Sequence, residues 1–164
     1  MSGPLAIIQA RVHSTRLAEK VLLPLGGKVL LRWTWEAAVD ALGKDNVVIA
    51  CPAADRERLQ TAVPEAEIFG WDGPEGDVLG RLAACAREYR GTTGTVLRVT
   101  PEDWPPVLWR DVTTVETLLE LQAGVEDPVA REHVGDLLHG PVAPIEINTP
   151  EDYDRARRQV GDVQ

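Results

Sequence analysis

Residues 5–28 read LAIIQARVHSTRLAEKVLLPLGGK, and the order of the parts in this stretch decides the fold. Leu5-Ala6-Ile7-Ile8, running on into Gln9 and Ala10, is a short, partly β-branched apolar run between Gly3-Pro4 and a charged loop, as a buried strand would be. After the loop, Leu31, Trp35, Ala38 and Leu42 recur at helical spacing within Lys28–Leu42, and Gly43 follows as a stop. The stretch therefore opens a unit of strand, loop and core-facing helix.

Working outward, the same alternation continues. Asn46–Ala50 reads as a second strand, Asp55–Ala62 as a short helix closed by Pro64, and Glu67–Phe69 as a weak strand. Asp77–Tyr89 places Val78, Leu82, Cys85 and Tyr89 on one helical stripe, and Thr95–Val99 returns to strand. Strands alternating with helices imply a mainly parallel sheet covered on both faces, so the expected class is α/β, a three-layer αβα Rossmann-like arrangement. Beyond Thr100 the pattern loosens. Helices are expected over Val115–Gln122 and Val129–Leu138, and a strand over Ile145–Ile147. Thr149-Pro150-Glu151-Asp152 supplies a cap hydroxyl, a proline at the first helical position and an acid at the third, opening a terminal helix over Tyr153–Val160.

At 164 residues and 44% apolar content the chain is expected to form one domain, residues 1–164. A net charge of −9 argues against a broad nucleic-acid surface, so a phosphate ligand requires a local basic pocket. No apolar run is long enough to cross a bilayer, and Met1–Leu5 is too short and polar to begin a signal peptide; a soluble, cytoplasmic protein is expected. Cys51 and Cys85 form no C-x-x-C pair and read as buried, reduced residues.

Ligands of open parallel sheets sit beyond the carboxyl ends of the strands, which is where the loop Arg11–Lys20 falls. It offers three cations, two hydroxyls and a run of backbone N–H groups, the inventory a polyphosphate needs; a solvated basic loop is the bland alternative. Gly26-Gly27-Lys28 ends like a Walker A loop, but Leu22 stands at its first glycine and Val29 at its magnesium-binding hydroxyl. No G-x-G-x-x-G follows the first strand either, so P-loop and dinucleotide-binding readings are set aside.

Ile7-Ile8-Gln9-Ala10-Arg11, Ser14-Thr15-Arg16-Leu17 and Lys20-Val21-Leu22-Leu23-Pro24-Leu25-Gly26-Gly27-Lys28 resemble the opening motif of the CMP-sugar synthetase-like cytidylyltransferases, particularly the branch associated with spore-coat polysaccharide synthesis. The resemblance continues in family order through Asp45–Ala50, Gly76-Asp77-Val78-Leu79-Gly80-Arg81, Val96–Thr100, Arg131-Glu132-His133-Val134 and Ile147-Asn148-Thr149-Pro150-Glu151-Asp152. It implies a GT-A-like nucleotidyltransferase fold, with an acceptor hydroxyl attacking the α-phosphate of CTP, pyrophosphate leaving, and magnesium assisting. Carried over by position, Arg11 and Lys20 hold the β- and γ-phosphates, and Ala10, Ser14, Arg16 and Asp77 complete the nucleotide site. Arg16 either reaches the phosphates or braces the loop against an acid. Arg98 and His133 fall on the acceptor side. The implied partners are a nucleoside triphosphate and a sugar-type acceptor, with a homodimer possible.

The chain also departs from that pattern. Ala18-Glu19 replaces Pro-Gly before the loop lysine, and His13 stands at a common glycine position. Cys51-Pro52-Ala53-Ala54 replaces the hydroxyl and acidic residues that help read cytosine, so base selectivity is an open question. For the metal, Asp103 keeps the family's D-x-P spacing and Glu102 is the alternative, while Asn148 occupies the second ligand position without its charge. Asp152 is expected to act as a helix cap. Residues 105–131 look contracted, with Asp111–Leu121 as a remnant of acceptor-binding or dimer-forming structure. Two readings therefore stand: CMP transfer from CTP to a sugar or sugar-acid acceptor for polysaccharide or glycoconjugate synthesis, and a nucleotide-binding or scaffold relative without chemistry.

Overall fold

The computed structural model describes residues 3–106, 110–138 and 145–160. Its centre is a five-stranded sheet in the order β5-β4-β1-β6-β8, formed by β1 (Leu5–Gln9), β4 (Val47–Pro52), β5 (Ile68–Trp71), β6 (Thr95–Val99) and β8 (Asp111–Thr114). The first four run parallel; β8 closes one edge antiparallel to β6, with Arg98 opposite Asp111 and Val96 opposite Thr113. From β1 the chain moves outward to β4 and β5, then crosses back to lay β6 on the other flank of β1. That reversal makes the β1/β6 crevice the switch point where ligands of such sheets bind.

Alternation along the strands builds two apolar layers. Ala6, Ile8, Val47 and Ile49 pack against Leu31, Trp35 and Ala38 of α1 (Leu30–Leu42) and Leu59 of α2 (Arg56–Ala62). Leu5, Ile7, Val48, Ala50 and Val96 pack the other face, against Leu79, Leu82 and Cys85 of α3 (Val78–Arg90) and Val115 and Leu118 of α4 (Val115–Gly124). β1 is buried on both faces, which is why its sequence is continuously apolar rather than alternating. The three-layer expectation is met.

A third, smaller cluster sits beside the main sheet. A hairpin of β2 (Pro24–Leu25) and β3 (Lys28–Val29) turns through Gly26 and Gly27, at φ 60° and 91°, the paired positive values that a two-residue primed turn requires. The Gly-Gly-Lys that ends like a phosphate loop is therefore a hairpin turn. Leu25 and Leu30 join Trp104, Ile147 and Ala156 in this cluster, so the hairpin rests on the terminal helix α7 (Pro150–Gln159) and on the short pair β7 (Asp103–Trp104) and β9 (Ile145–Glu146). Thr149 and Asp152 form the reciprocal capping box read from sequence.

Two segments differ from expectation. Asp111–Thr114 is the edge strand of the main sheet, leading into a helix that packs on α3. The helix expected over Val129–Leu138 is instead two pieces, α5 (Pro128–Glu132) and α6 (Gly135–Leu138), broken where His133 leaves helical geometry at φ −103°, ψ 64°. Pro128 and the Asp127 cap start α5 one residue early, and Gly135 begins α6. His139 lies outside the described residues. Among the described residues no helix is long and apolar enough to cross a membrane.

Candidate functional site

The loop between β1 and the hairpin is fixed by contacts that its own sequence does not contain. Val12 N–H donates to Asp55 Oδ2 at 2.9 Å, which pins the loop's start to the turn after β4. At its end Glu19 adopts φ 50°, ψ 37°, a left-handed conformation that glycine favours. Its carboxylate takes both Arg58 N–H groups of α2, at 2.9 and 3.0 Å, and the guanidinium holds the Glu19 carboxyl below its usual range. Neither Glu19 nor Arg58 lines the adjoining cavity, so the charge of the Glu19 that replaces the family's glycine is neutralised on α2.

That cavity, about 280 Å³, opens at the carboxyl ends of β1 and β6. Ala10, Arg11, Ser14, Arg16 and Lys20 all line it, together with Glu102, Arg98, His133 and Asn148. Arg81 and Arg110, which sequence reasoning did not assign to any role, line it as well. The chain as a whole is acidic, yet six Arg or Lys side chains converge here. Such a concentration of cations in a concave, partly desolvated site attracts a polyanion.

The individual placements differ. Arg11 stands between Glu75 and Glu132, at 3.7 and 3.8 Å, and lines the cavity with Glu132. Lys20 donates to Asn148 Oδ1 at 2.9 Å and lies 3.8 Å from the Glu102 carboxylate. Glu102, the alternative to Asp103 as a metal ligand, and Asn148, the second ligand position, thus stand around one ammonium, 46 residues apart in sequence. Arg16 is exposed on the cavity rim and makes no salt bridge among the described residues, so the bracing role considered for it finds no acid. Asp103 is described through its backbone, in β7.

Asp77 is engaged elsewhere. Its carboxylate accepts from Gly80 N–H as the cap of α3 and forms a two-point pair with Arg131, at 2.9 and 3.0 Å; it does not line the cavity. Arg131 also donates to the carbonyls of Gln122 and Val125, tying the end of α4 to the start of α3. Arg98 is 5% exposed and pairs with the buried Asp111 across β6 and β8, while its Nη1 donates to Gln9 at 3.1 Å. It forms a wall of the cavity held by the sheet. His133 is exposed at the rim, 3.9 Å from Glu132.

The arrangement defines a class: a mainly parallel α/β sheet with a cationic cavity at its switch point. The same fold occurs in a cytidylyltransferase of Leptospira borgpetersenii, at TM-score 0.76 and 18% identity over 100% of this chain and 89% of that one. A nucleotidyl transferase of Methanothermobacter gives TM-score 0.68 and 16% identity over 96% and 97%. These likenesses identify the Rossmann-like fold of nucleotidyltransferases. The family follows from the sequence, because residues 5–103 match the cytidylyltransferase family profile. The chain belongs to the cytidylyltransferase family. It is also similar to the 3-deoxy-manno-octulosonate cytidylyltransferase of Vibrio cholerae, 46% identical over 57 residues, which is 35% of this chain and 21% of that protein. The enzyme of the same name from Synechococcus elongatus is 48% identical over 46 residues, 28% and 19%. The matched region thus spans about a fifth of the length of these curated relatives.

Proposed function

We propose that the protein transfers CMP from CTP to a sugar or sugar-acid acceptor, releasing pyrophosphate, in the synthesis of a polysaccharide or glycoconjugate. The observation that carries the reading is the convergence of Arg11, Ser14, Arg16 and Lys20 on one cavity at the β1/β6 switch point. The names of the sequence relatives support the sugar-acid class of acceptor. A solved relative crystallised with CTP, the CMP:2-keto-3-deoxy-manno-octonic acid synthetase, shares the fold at TM-score 0.51 and 23% identity over 62% of this chain and 41% of that one.

In this reading Arg11 and Lys20 hold the β- and γ-phosphates, and Ser14 with the adjacent backbone lines the phosphate path. The acceptor hydroxyl attacks the α-phosphorus, the bond to the bridging oxygen breaks, and the charge gathering on pyrophosphate is met by the two cations. Lys20 exchanges its contacts with Asn148 and Glu102 for phosphate oxygens, an exchange made easy because Asn148 is neutral. Arg98 and His133 lie on the acceptor side, the first as a fixed wall and the second at the open rim.

Magnesium fits the donor chemistry here. The Glu102 carboxylate and Asn148 Oδ1 are oxygen donors already gathered around a cation, and magnesium commonly needs only one or two carboxylates beside substrate phosphates and water. Glu102 and Asn148, with Asp103 adjacent in the chain, would hold it. When bound, the ion neutralises polyphosphate charge.

Pyrophosphate release from CTP across a panel of sugars and sugar acids, with magnesium, tests the proposal. Turnover with at least one acceptor is expected, lowered by about 100-fold or more in Lys20→Ala. No turnover with any acceptor, together with unchanged CTP binding by Lys20→Ala, would sink it. The second reading, a nucleotide-binding relative without chemistry, is favoured by the neutral Asn148 on Lys20. It requires CTP binding that is indifferent to magnesium and unaccompanied by turnover.

A further inference from the structure

The cations of the cavity are not equally available to a polyanion. Arg11 and Lys20, read above as the grip on the β- and γ-phosphates, already have carboxylates beside them. Glu75 and Glu132 stand 3.7 and 3.8 Å from Arg11, and Glu102 stands 3.8 Å from Lys20. Two positive charges thus face three negative ones before any ligand arrives. Arg98 is committed to the buried Asp111. Positive charge that is not already matched has to come from elsewhere in the loop.

Four consecutive loop residues, His13-Ser14-Thr15-Arg16, line the cavity, and none of their side chains makes a hydrogen bond or ion pair among the described residues. Val12 sets their direction. Its side chain turns into the core while Asp55 holds its N–H, so Arg11 and His13 on either side of it line the cavity and Val12 does not. Arg16 carries a fixed charge and His13 a conditional one, since histidine gains or loses its charge between about pH 5 and 8. The imidazole shares the cavity with Arg11, Arg16 and Lys20 of its own loop, with Arg81 of α3, and with Arg98 and Arg110 from the β6 and β8 side. The acids there are Glu102 after β6, Glu132 of α5 and Asp136 of α6, and His133 is the second imidazole. Cations disfavour a further positive charge beside them, and a polyanion among them favours it.

Resting on the nucleotide reading above, we propose that His13 is a phosphate ligand that takes up a proton from solvent as a polyphosphate binds, so that the loop's grip tightens as pH falls from about 8 to 6. The protonated imidazole adds a charged N–H donor beside Arg16 for the phosphate oxygens. His133 is not equivalent, because Glu132 stands 3.9 Å from its Nε2, whereas His13 has no such acid.

Calorimetry on the full chain, with magnesium present, measures the binding of inorganic tripolyphosphate and of CTP at about pH 6 and pH 8. Buffers of differing ionisation enthalpy count the protons taken up. A terminal phosphate itself titrates near about pH 6, and comparison with His13→Gln at each pH cancels that contribution. In this loop only Glu19 adopts the left-handed backbone, so an unbranched side chain fits at position 13. The wild type should bind both ligands about tenfold more tightly than His13→Gln at the lower pH and within about twofold of it at the higher, with greater proton uptake. His13→Lys should keep the advantage over His13→Gln at both, and His133→Gln should leave the wild-type pH dependence of tripolyphosphate binding in place. Equal affinity and equal proton uptake in wild type and His13→Gln overturn the inference, as does a pH dependence that disappears with His133. Both ligands bound without any effect of His13 overturn this inference alone. Tripolyphosphate bound through His13 with no binding of CTP overturns the nucleotide reading and leaves His13 a polyphosphate ligand.

Discussion

Removing the carboxylate of Asp111 should be among the most damaging single changes in the molecule. Asp111 is 1% exposed, Arg98 opposite it is 5% exposed, and each is the other's charge partner across β6 and β8. In Asp111→Ala the guanidinium stays buried and keeps only the neutral Gln9 oxygen at 3.1 Å. Breaking one side of a buried ion pair costs about 3–5 kcal/mol, a large share of the roughly 5–15 kcal/mol that holds a domain together. For a chain of this size that corresponds to a fall in Tm on the order of 10 °C. Urea unfolding followed by fluorescence of the five tryptophans measures it. The same reasoning makes a second demand. Arg98→Met combined with Asp111→Leu removes both charges and their desolvation together, so the double variant should lose no more than about 1–2 kcal/mol. A single variant that loses under about 1 kcal/mol, or a double variant as unstable as the single, would refute a desolvated pair as the strap between the two strands.

Three further outcomes are expected. Asn148→Asp places a second carboxylate beside Glu102 and Lys20, and CTP binding without magnesium should weaken by about tenfold while magnesium restores it; calorimetry with and without a chelator reads the difference. The Asp152 carboxyl is held below its usual range, first by the Asn148 N–H and also by Thr149, so its stabilising effect is present above the unfolded pKa of about 3.9 and disappears as pH falls through the lower folded value. Asp152→Ala should cost about 1 kcal/mol at pH 7, and the urea midpoints of variant and wild type should converge toward pH 2. Burial pushes the Cys51 thiol up to about 12 and raises that of Cys85 too, so neither should react with an aromatic disulfide reagent at pH 8 until urea unfolds the chain.

The elements legible in the sequence were those whose signal is local. β1, β4, α1, α3 and β6 declare themselves by apolar runs and helical spacing, and α7 by Thr149-Pro150 with Asp152. β8 escaped because its first residue is a buried acid, which becomes intelligible only once Arg98 is seen opposite it. The break at His133 escaped because Val129–Leu138 has enough apolar residues to imitate one amphipathic helix, while the backbone turns there to bring Val134 into the core. The loop Arg11–Lys20 was legible as a strand-to-helix connection rich in cations. Its fastenings were not: Asp55 to Val12, Arg58 to Glu19 and Asn148 to Lys20 join residues 43, 39 and 128 positions apart. Asp77 carries the motif but is held by Arg131, 54 residues away, and nothing nearer in the chain announces that pair.

The bond from Lys20 to Asn148 joins the first loop of the chain to the threshold of its last helix. Tyr153 reaches back in the same way to the carbonyl of Pro24, and Ile147 and Ala156 close the cluster beneath the hairpin. The parallel strands β1, β4, β5 and β6 all precede Thr100, whereas the partner of Lys20 comes from the segment just before α7. A chain cut between β6 and α7 would therefore keep the four parallel strands and lose the hydrogen-bond partner that holds Lys20 in the cavity.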